Sequence, residues 1–511
     1  MTPEDFVLKP WAQSSIHDAY AKSFLHMRPA PEYASGEVIL ASTYRQVGFI
    51  CDSVTEGRIP ANGREFQKNL DRGKRPRRDA TGIGIDTEAW RRIVTGTLRS
   101  PKQPNQSTKR FLQISPVVPD ATLYSLSARL SSNSWNPGAL VARIIQFGDA
   151  SNANAQELWN QLFHALSVDE RDDIWACFLQ EEFRSWRKKA HEHWWSIPRS
   201  LTEDKPIAAW HRAGTKTPAT RFIVDLERIL SLKTYLTRRQ WISMVEAMLR
   251  IGTASHVLWT CKANIQCFRI LRQILRGQGS PPHTELEFMF GVGDGFWRYG
   301  QLASGTITDS ATGFVKARAG INLLLHHLKG QYEGLPECLA NLDTIEALAK
   351  WLREHLDCID AKQYWRDYQS VIENDQRLVA GKKGISANVR EFLRHALGQR
   401  QTAEPGLDSY DQGYFLTKRG SYRSAPWIVS LGPVSVLAIV HACTQNAHGP
   451  RTVEDLCKHL GEYGIEVQAQ EVPDSPLGQT LRNLGLVLDS PDAEGGMVVV
   501  NPFEHIVEEP A

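Results

Sequence analysis

Between about Trp135 and Gln399 the apolar residues recur at helical spacing, segment after segment. Leu158, Leu162, Ala165 and Leu166 make one stripe, and Trp175, Phe178, Leu179 and Trp186 make the next, after an Asp169 placed to cap it with Asp172 three residues on. These two helices are expected to form a hairpin. Trp241, Val245, Met248 and Leu249 continue the pattern, followed by Leu258, Ile265, Phe268, Leu271 and Leu275, then Ile321 to Leu328, then Ile345, Leu348, Leu352, Leu356 and Ile359. An apolar stripe of period 3.6 must be covered by a neighbour, so the region predicts stacked helical pairs. Fifteen tryptophans, most of them inside these patterns, supply rings that fill the gaps between packed helices. No fixed repeat of the tetratricopeptide or HEAT kind is present, which makes an irregular helical domain over 135–400 the expectation.

The flanks differ in charge. Residues 1–57 hold one helix candidate, with Val38, Ile39, Val47, Ile50 and Val54 near the helical period and Gly57 and Pro60 to stop it. From Arg58 to Arg110 fourteen Lys or Arg face five Asp or Glu, a net of +9 within a basic, mixed region assigned to 58–134. Its densest part carries Lys68, Arg72, Lys74, Arg75, Arg77 and Arg78, and the intervening Gly73 and Pro76 predict a loop. Such side chains are either a solvated surface or contacts for nucleic-acid phosphates; with no aromatic between Lys68 and Arg78, binding there would be directed to the backbone. Phe111 to Val118 and Thr122 to Leu130 have the β-branched or alternating character of strands. The Gly-rich run Phe290 to Phe296 interrupts the helical array, and 401–425 is expected to be a linker.

The last unit, 426–511, has a different grammar. Pro433 can open a helix carrying Val436, Leu437, Ile439 and Val440, Thr452 can cap a second that ends at Gly464, and Ser475 with Pro476 can open a third closed by Gly485. Leu486 to Leu488 and Met497 to Val500 then predict two strands. This order resembles winged-helix domains, so the fold class expected is mainly α: an irregular multi-helical scaffold with a C-terminal winged-helix (α+β) domain. The resemblance implies that the third helix meets the ligand, with Gln479, Thr480, Arg482 and Asn483 available to hydrogen-bond bases or phosphates. Charge argues the other way: from Trp427 to the end three basic residues face twelve acidic ones, a net of −9. A surface of that sign repels duplex DNA, so a partner protein and DNA both stay open as ligands.

Motifs for chemistry are sparse. Gly214 to Thr217 lacks the earlier glycine of a phosphate-binding loop, and Gly291 to Gly295 lacks the last glycine of a dinucleotide fingerprint. His191 with His193, His326 with His327, and the group His441, Cys443, His448, Cys457 and His459 are spaced so that neighbours diverge around a helix, so no metal is expected. Pro119-Asp120 is far from Glu203-Asp-Lys205, the nearest acidic and lysine continuation of a nuclease motif, and Glu354-His355 is read as solvated. Neither catalytic residues nor cofactors are therefore assigned. Eight dispersed cysteines without a C-x-x-C pair, no signal-peptide pattern and no apolar run of about 18 residues predict a cytoplasmic chain that engages no membrane.

The general pattern is similar to accessory components of bacterial phage-defence or DNA-modification systems. That resemblance implies a non-catalytic, nucleic-acid-associated scaffold or adaptor subunit, with the basic segment touching phosphates and the acidic end docking partner proteins. A metal-dependent nuclease and a winged-helix transcriptional regulator are the alternatives.

Overall fold

The computed structural model describes residues 1–27, 34–49, 69, 87–98, 115–124, 136–149, 151–186, 195–201, 216–278, 291–292, 295–328, 339, 342–356, 359–398, 412–420, 424–445, 449–488 and 497–503. The protein is mainly helical. Its first helices are α1 (Pro3–Leu8), α2 (Asp18–Ala21), α3 (Gly36–Gly48), α4 (Thr87–Leu98), α5 (Pro137–Gly148), α6 (Asn152–Leu166), α7 (Ile174–Ser185) and α8 (Pro218–Ser231). Then come α9 (Arg238–Leu275), the short strand β1 (Trp297–Arg298), α10 (Ala303–His327), α11 (Leu342–Glu354), α12 (Ala361–Asn374), α13 (Gln376–Val379) and α14 (Gly384–Ala396).

Helix α9 runs for 38 residues where the sequence suggested a succession of shorter helices. Thr237 starts it with a capping box: its hydroxyl accepts from the Gln240 amide while the Gln240 side chain accepts from the Thr237 N–H. Trp241, Val245, Met248, Leu258, Cys261 and Leu271 are all buried, and they lie on more than one side of the helix. A helix that is apolar around its circumference belongs inside a protein. Helices α3, α5, α8, α10, α11 and α14 accordingly pack around it. Gly252 lies mid-helix because a Cβ there would meet the Phe222 ring of α8 at 2.3 Å, so the absent side chain lets the two axes approach.

Arg238, almost fully buried, binds the start of α9 to the end of α6. Its Nε donates to Val117 O (3.0 Å) and Nη1 to Ala165 O, Ser167 O and Asp172 Oδ1 (each 3.1 Å). Nη2 donates to Tyr44 Oη (3.0 Å) and to Leu166 O. The terminal carbonyls of a helix lack intrahelical donors, and here one guanidinium supplies them.

Several expectations change. Helix α3 stops at Gly48, with Phe49 already extended, and Ile50 and Val54 lie outside the described residues. The expected strand near Val117 is absent from 115–124: Pro119–Tyr124 is a 3-10 helix, because Pro116 and Pro119 cannot donate to a ladder. Val117 and Val118 instead enter a second core with Trp90, Val94 and Leu98 of α4 and Phe178, Leu179 and Phe183 of α7. The buried face of α7 therefore serves this second core and not a hairpin with α6. Its cap is Asp173, which accepts from Trp175 N and Ala176 N, not Asp169. Lys68, Arg72, Lys74, Arg75, Arg77 and Arg78 lie outside the described residues, as do 125–130.

Strand β2 (Leu416–Lys418) lies within the stretch read as a linker and pairs antiparallel with β3 (Trp427–Val429). Beyond it come α15 (Pro433–Thr444), β4 (Arg451–Thr452), α16 (Val453–Glu462), β5 (Ile465–Glu466), α17 (Pro476–Asn483), β6 (Val487–Leu488) and β7 (Val498–Val499). The sequence signals hold here: Pro433 is at the first position of α15, Thr452 and Asp455 form a capping box, and Ser475 caps α17. Gly464 (φ 81°) and Gly485 (φ 68°) end α16 and α17 in the left-handed region. Strands β6 and β7 pair antiparallel as expected, and β4 adds a third strand on the other side of β7. One apolar core continues from Phe6 to Val499 through the helices and this C-terminal unit.

Gly252→Ala tests the close approach of α8 and α9. Alanine gains about 1 kcal/mol in intrinsic helix propensity, but forcing a methyl into the fully buried Phe222 ring costs about 1–3 kcal/mol. The overpacking cost wins, so the urea midpoint should fall; a midpoint that rose would show that the ring yields freely.

Candidate functional site

The C-terminal unit presents one face to solvent and gives the other to the helical body. On the outward side lies α17, whose first turn is fixed by Ser475 accepting from Gly478 N (3.3 Å). Leu477 and Leu481 are buried, which turns Gln479, Arg482 and Asn483 outward. Thr480 is half-buried and its hydroxyl donates to Pro476 O (2.9 Å). Three of the four sequence-derived residues on this helix are thus exposed, and Thr480 is only partly so.

Arg482, the cation among them, is bound back onto its own unit: Nη1 donates to Pro473 O (2.7 Å) and Nη2 approaches Met497 Sδ (3.8 Å). Elsewhere on the described part of the unit the exposed charges are mostly acidic: Glu454, Glu462, Glu466, Glu471 and Asp474. Lys458 is paired with Glu454 (2.9 Å), and Glu471 with Arg298 of β1 (3.2 Å).

The inward side centres on Asp225 of α8, which is fully buried. Its Oδ1 accepts from Arg221 Nε (2.8 Å), and Oδ2 lies 2.7 Å from His459 Nε2 and accepts from Tyr463 Oη (2.8 Å). One carboxylate on the body thereby holds two side chains from the end of α16. Burial by itself would raise the Asp225 pKa; the hydrogen bond and charge from His459, the charge of Arg221 and the Tyr463 hydroxyl outweigh it and hold the group below its usual value. Burial first of all, with Asp225 as a second cause, pushes the Tyr463 phenol well up, so it remains a donor.

Further bonds join the same two parts. Arg228 of α8 donates to Ala442 O, and Ser255 of α9 donates to Tyr463 O (2.8 Å). On another side, β1 pairs in parallel with β5, setting Trp297 opposite Ile465 and Arg298 opposite Glu466. Phe296 N donates to Gly464 O (2.7 Å), and a Cβ at Gly464 would lie 2.2 Å from the Phe296 ring. Phe296 and β1 thus lie against the start of β5 in the C-terminal unit.

The described members of the thiol and imidazole group take the following places. His441 faces Asn501 Oδ1 (3.2 Å) and Arg228 O (3.3 Å), His459 faces Asp225, Cys443 and Cys457 are buried, and His448 lies outside the described residues. Among the described residues no group of three or more His, Cys, Asp or Glu stands close enough to hold a metal, and no helix is long and apolar enough to cross a membrane.

Sequence reasoning missed Asp225. Its signal was local: the stripe Ala219, Phe222, Leu226 and Ile229 is interrupted on its own face by an acid, and a buried acid requires partners. Which partners it takes was not legible, because His459 and Tyr463 lie 234 and 238 positions away. Neither protein-family models nor curated proteins match the sequence.

Asp225→Asn should cost about 2–4 kcal/mol, since it leaves Arg221 beside a neutral amide with, among the described residues, the exposed Glu462 as its remaining acidic partner. Because the folded pKa of Asp225 is lowered, its stabilisation is fully present above the usual carboxylate value of 3.8 and is lost as pH falls below it through the folded value. Urea midpoints measured from pH 6 downward should therefore fall more steeply for the parent than for Asp225→Asn in that acid window; parallel curves would remove Asp225 from the account.

Proposed function

We propose that this chain is a non-catalytic, nucleic-acid-associated scaffold or adaptor subunit of a multi-protein bacterial system, of the antiviral-defence kind, with a winged-helix-like C-terminal unit that docks a partner protein. The order α15, β4, α16, α17, β6, β7 with a three-stranded sheet supports the winged-helix reading. The observation that carries the choice of ligand is Arg482. Duplex affinity comes largely from cations that neutralise phosphates, and the cation of α17 is engaged with Pro473 and Met497, in a unit whose other exposed charges are mostly carboxylates. A helix offering Gln479 and Asn483 on a unit whose exposed charges are mostly acidic suits a protein surface that carries Lys or Arg. Phosphate contact falls instead to basic parts of the chain such as Lys68 to Arg78.

Deleting the C-terminal unit is a poor test, because the continuous core would be cut open. Substitution at the surface is better. The triple variant Q479A/R482A/N483A should bind a 30-base-pair duplex with the parent's affinity and salt slope, while neutralising Lys68, Arg72, Lys74, Arg75, Arg77 and Arg78 should lower both. The reverse pattern, weaker binding by the α17 variant alone, would favour a DNA-reading regulator.

A further inference from the structure

The last turns of α9 carry Arg269, Arg272 and Arg276, all exposed, and the i, i+3, i+7 spacing places them on one face. Helix α12 adds exposed Lys362 and Arg366 on either side of the half-buried Trp365. The two helices meet through side chains: the Arg276 guanidinium lies over the Trp365 ring, 5.5 Å from its centroid, and Phe268 contacts the Tyr368 ring at 5.2 Å. Arg272 is near enough to Tyr364 and Tyr368 to act on their hydroxyls electrostatically. Tyr368 Oη reaches Lys316 O of α10 (3.4 Å), which brings the exposed Lys316 to the same region.

None of these six cations is in an ion pair among the described residues. The acids of α12 are committed elsewhere: Asp360 caps the helix, Asp367 faces His327 (3.3 Å) and Gln363 (2.8 Å), and Glu373 accepts from Gln369 (2.9 Å). On neighbouring α1, Asp5 closes a capping box with Thr2, and Glu4 belongs to the same first turn. Like charges at i, i+3 and i, i+4 repel, and an anion lying across the stripe relieves that repulsion. Guanidinium forks match phosphate oxygens, and the Arg276 guanidinium lies over the Trp365 ring.

We infer that this face of α9, α10 and α12 binds the phosphate backbone of a nucleic acid. Arg269 to Arg276 spans roughly 10 Å of helix, about three base-pair rises. Neither α9 nor α12 exposes a large apolar side chain of the kind that inserts into a lipid surface. The inference rests on the nucleic-acid-associated reading above but places the contact on a different part of the chain from Lys68 to Arg78.

The test is fluorescence anisotropy of the full chain with a 30-base-pair duplex between about 50 and 200 mM salt, a range over which phosphate contacts change affinity by orders of magnitude. The variant R269Q/R272Q/R276Q/R366Q should bind at least about tenfold more weakly, with a salt slope lower by about 3 to 4, since each phosphate left without its cation removes about 0.9. A control, R92Q/R171Q/R184Q/K458Q, removes the same charge from exposed cations that already have carboxylate partners and should bind like the parent. Equal weakening in the two variants would reduce the face to net charge and overturn the inference. Parent-like binding by the arginine variant, with weaker binding on neutralising Lys68 to Arg78, would overturn it while leaving the nucleic-acid reading intact. A parent that binds vesicles with anionic headgroups but no duplex or single strand would overturn both.

Discussion

Most of the described helices are arranged around the burial of α9. A 38-residue helix with apolar residues on more than one side exposes a large hydrophobic surface, and only a shell of other helices removes it from water. Helices α3, α5, α8, α10, α11 and α14 form that shell, and α15 brings in the C-terminal unit. Arg238 fixes where the helix begins, since its guanidinium must satisfy the end of α6 and the Asp172 carboxylate at once.

The C-terminal unit shares this spine. Its apolar residues continue the same core, so separating it would expose Val436, Ile439 and Ile465 as well as break the Asp225 bonds. The apolar contacts supply most of the driving force, while the buried carboxylate supplies direction, because His459 and Tyr463 reach it together in one placement of α16. Leu477 and Leu481 join the same core, which leaves Gln479, Arg482 and Asn483 of α17 facing solvent.

How much was legible depended on range. Pro433, Thr452, Ser475, Gly464 and Gly485 marked the C-terminal helices because caps and left-handed glycines act within a few residues of themselves. The continuity of α9 did not follow from its separate stripes, because the fit of Gly252 against Phe222 that holds the middle of the helix is tertiary. Val117 and Val118 suggested a strand by composition, but their burial against α4 and α7 is tertiary. Of the outward-facing residues, the positions on α17 followed from its stripe. The arginine face did not, because Arg269 to Arg276 acquires meaning only when α12 brings Trp365 and Arg366 beside it.

The claim that body and C-terminal unit form one cooperative structure around α9 is tested most directly by native-state hydrogen exchange. The amides of Leu456, Cys457 and Leu460 in α16 should open with the same free energy, and the same denaturant dependence, as those of Leu258 and Trp259 in the middle of α9. Exchange in α16 through a separate opening of lower energy, while Leu258 and Trp259 stay protected, would contradict the account.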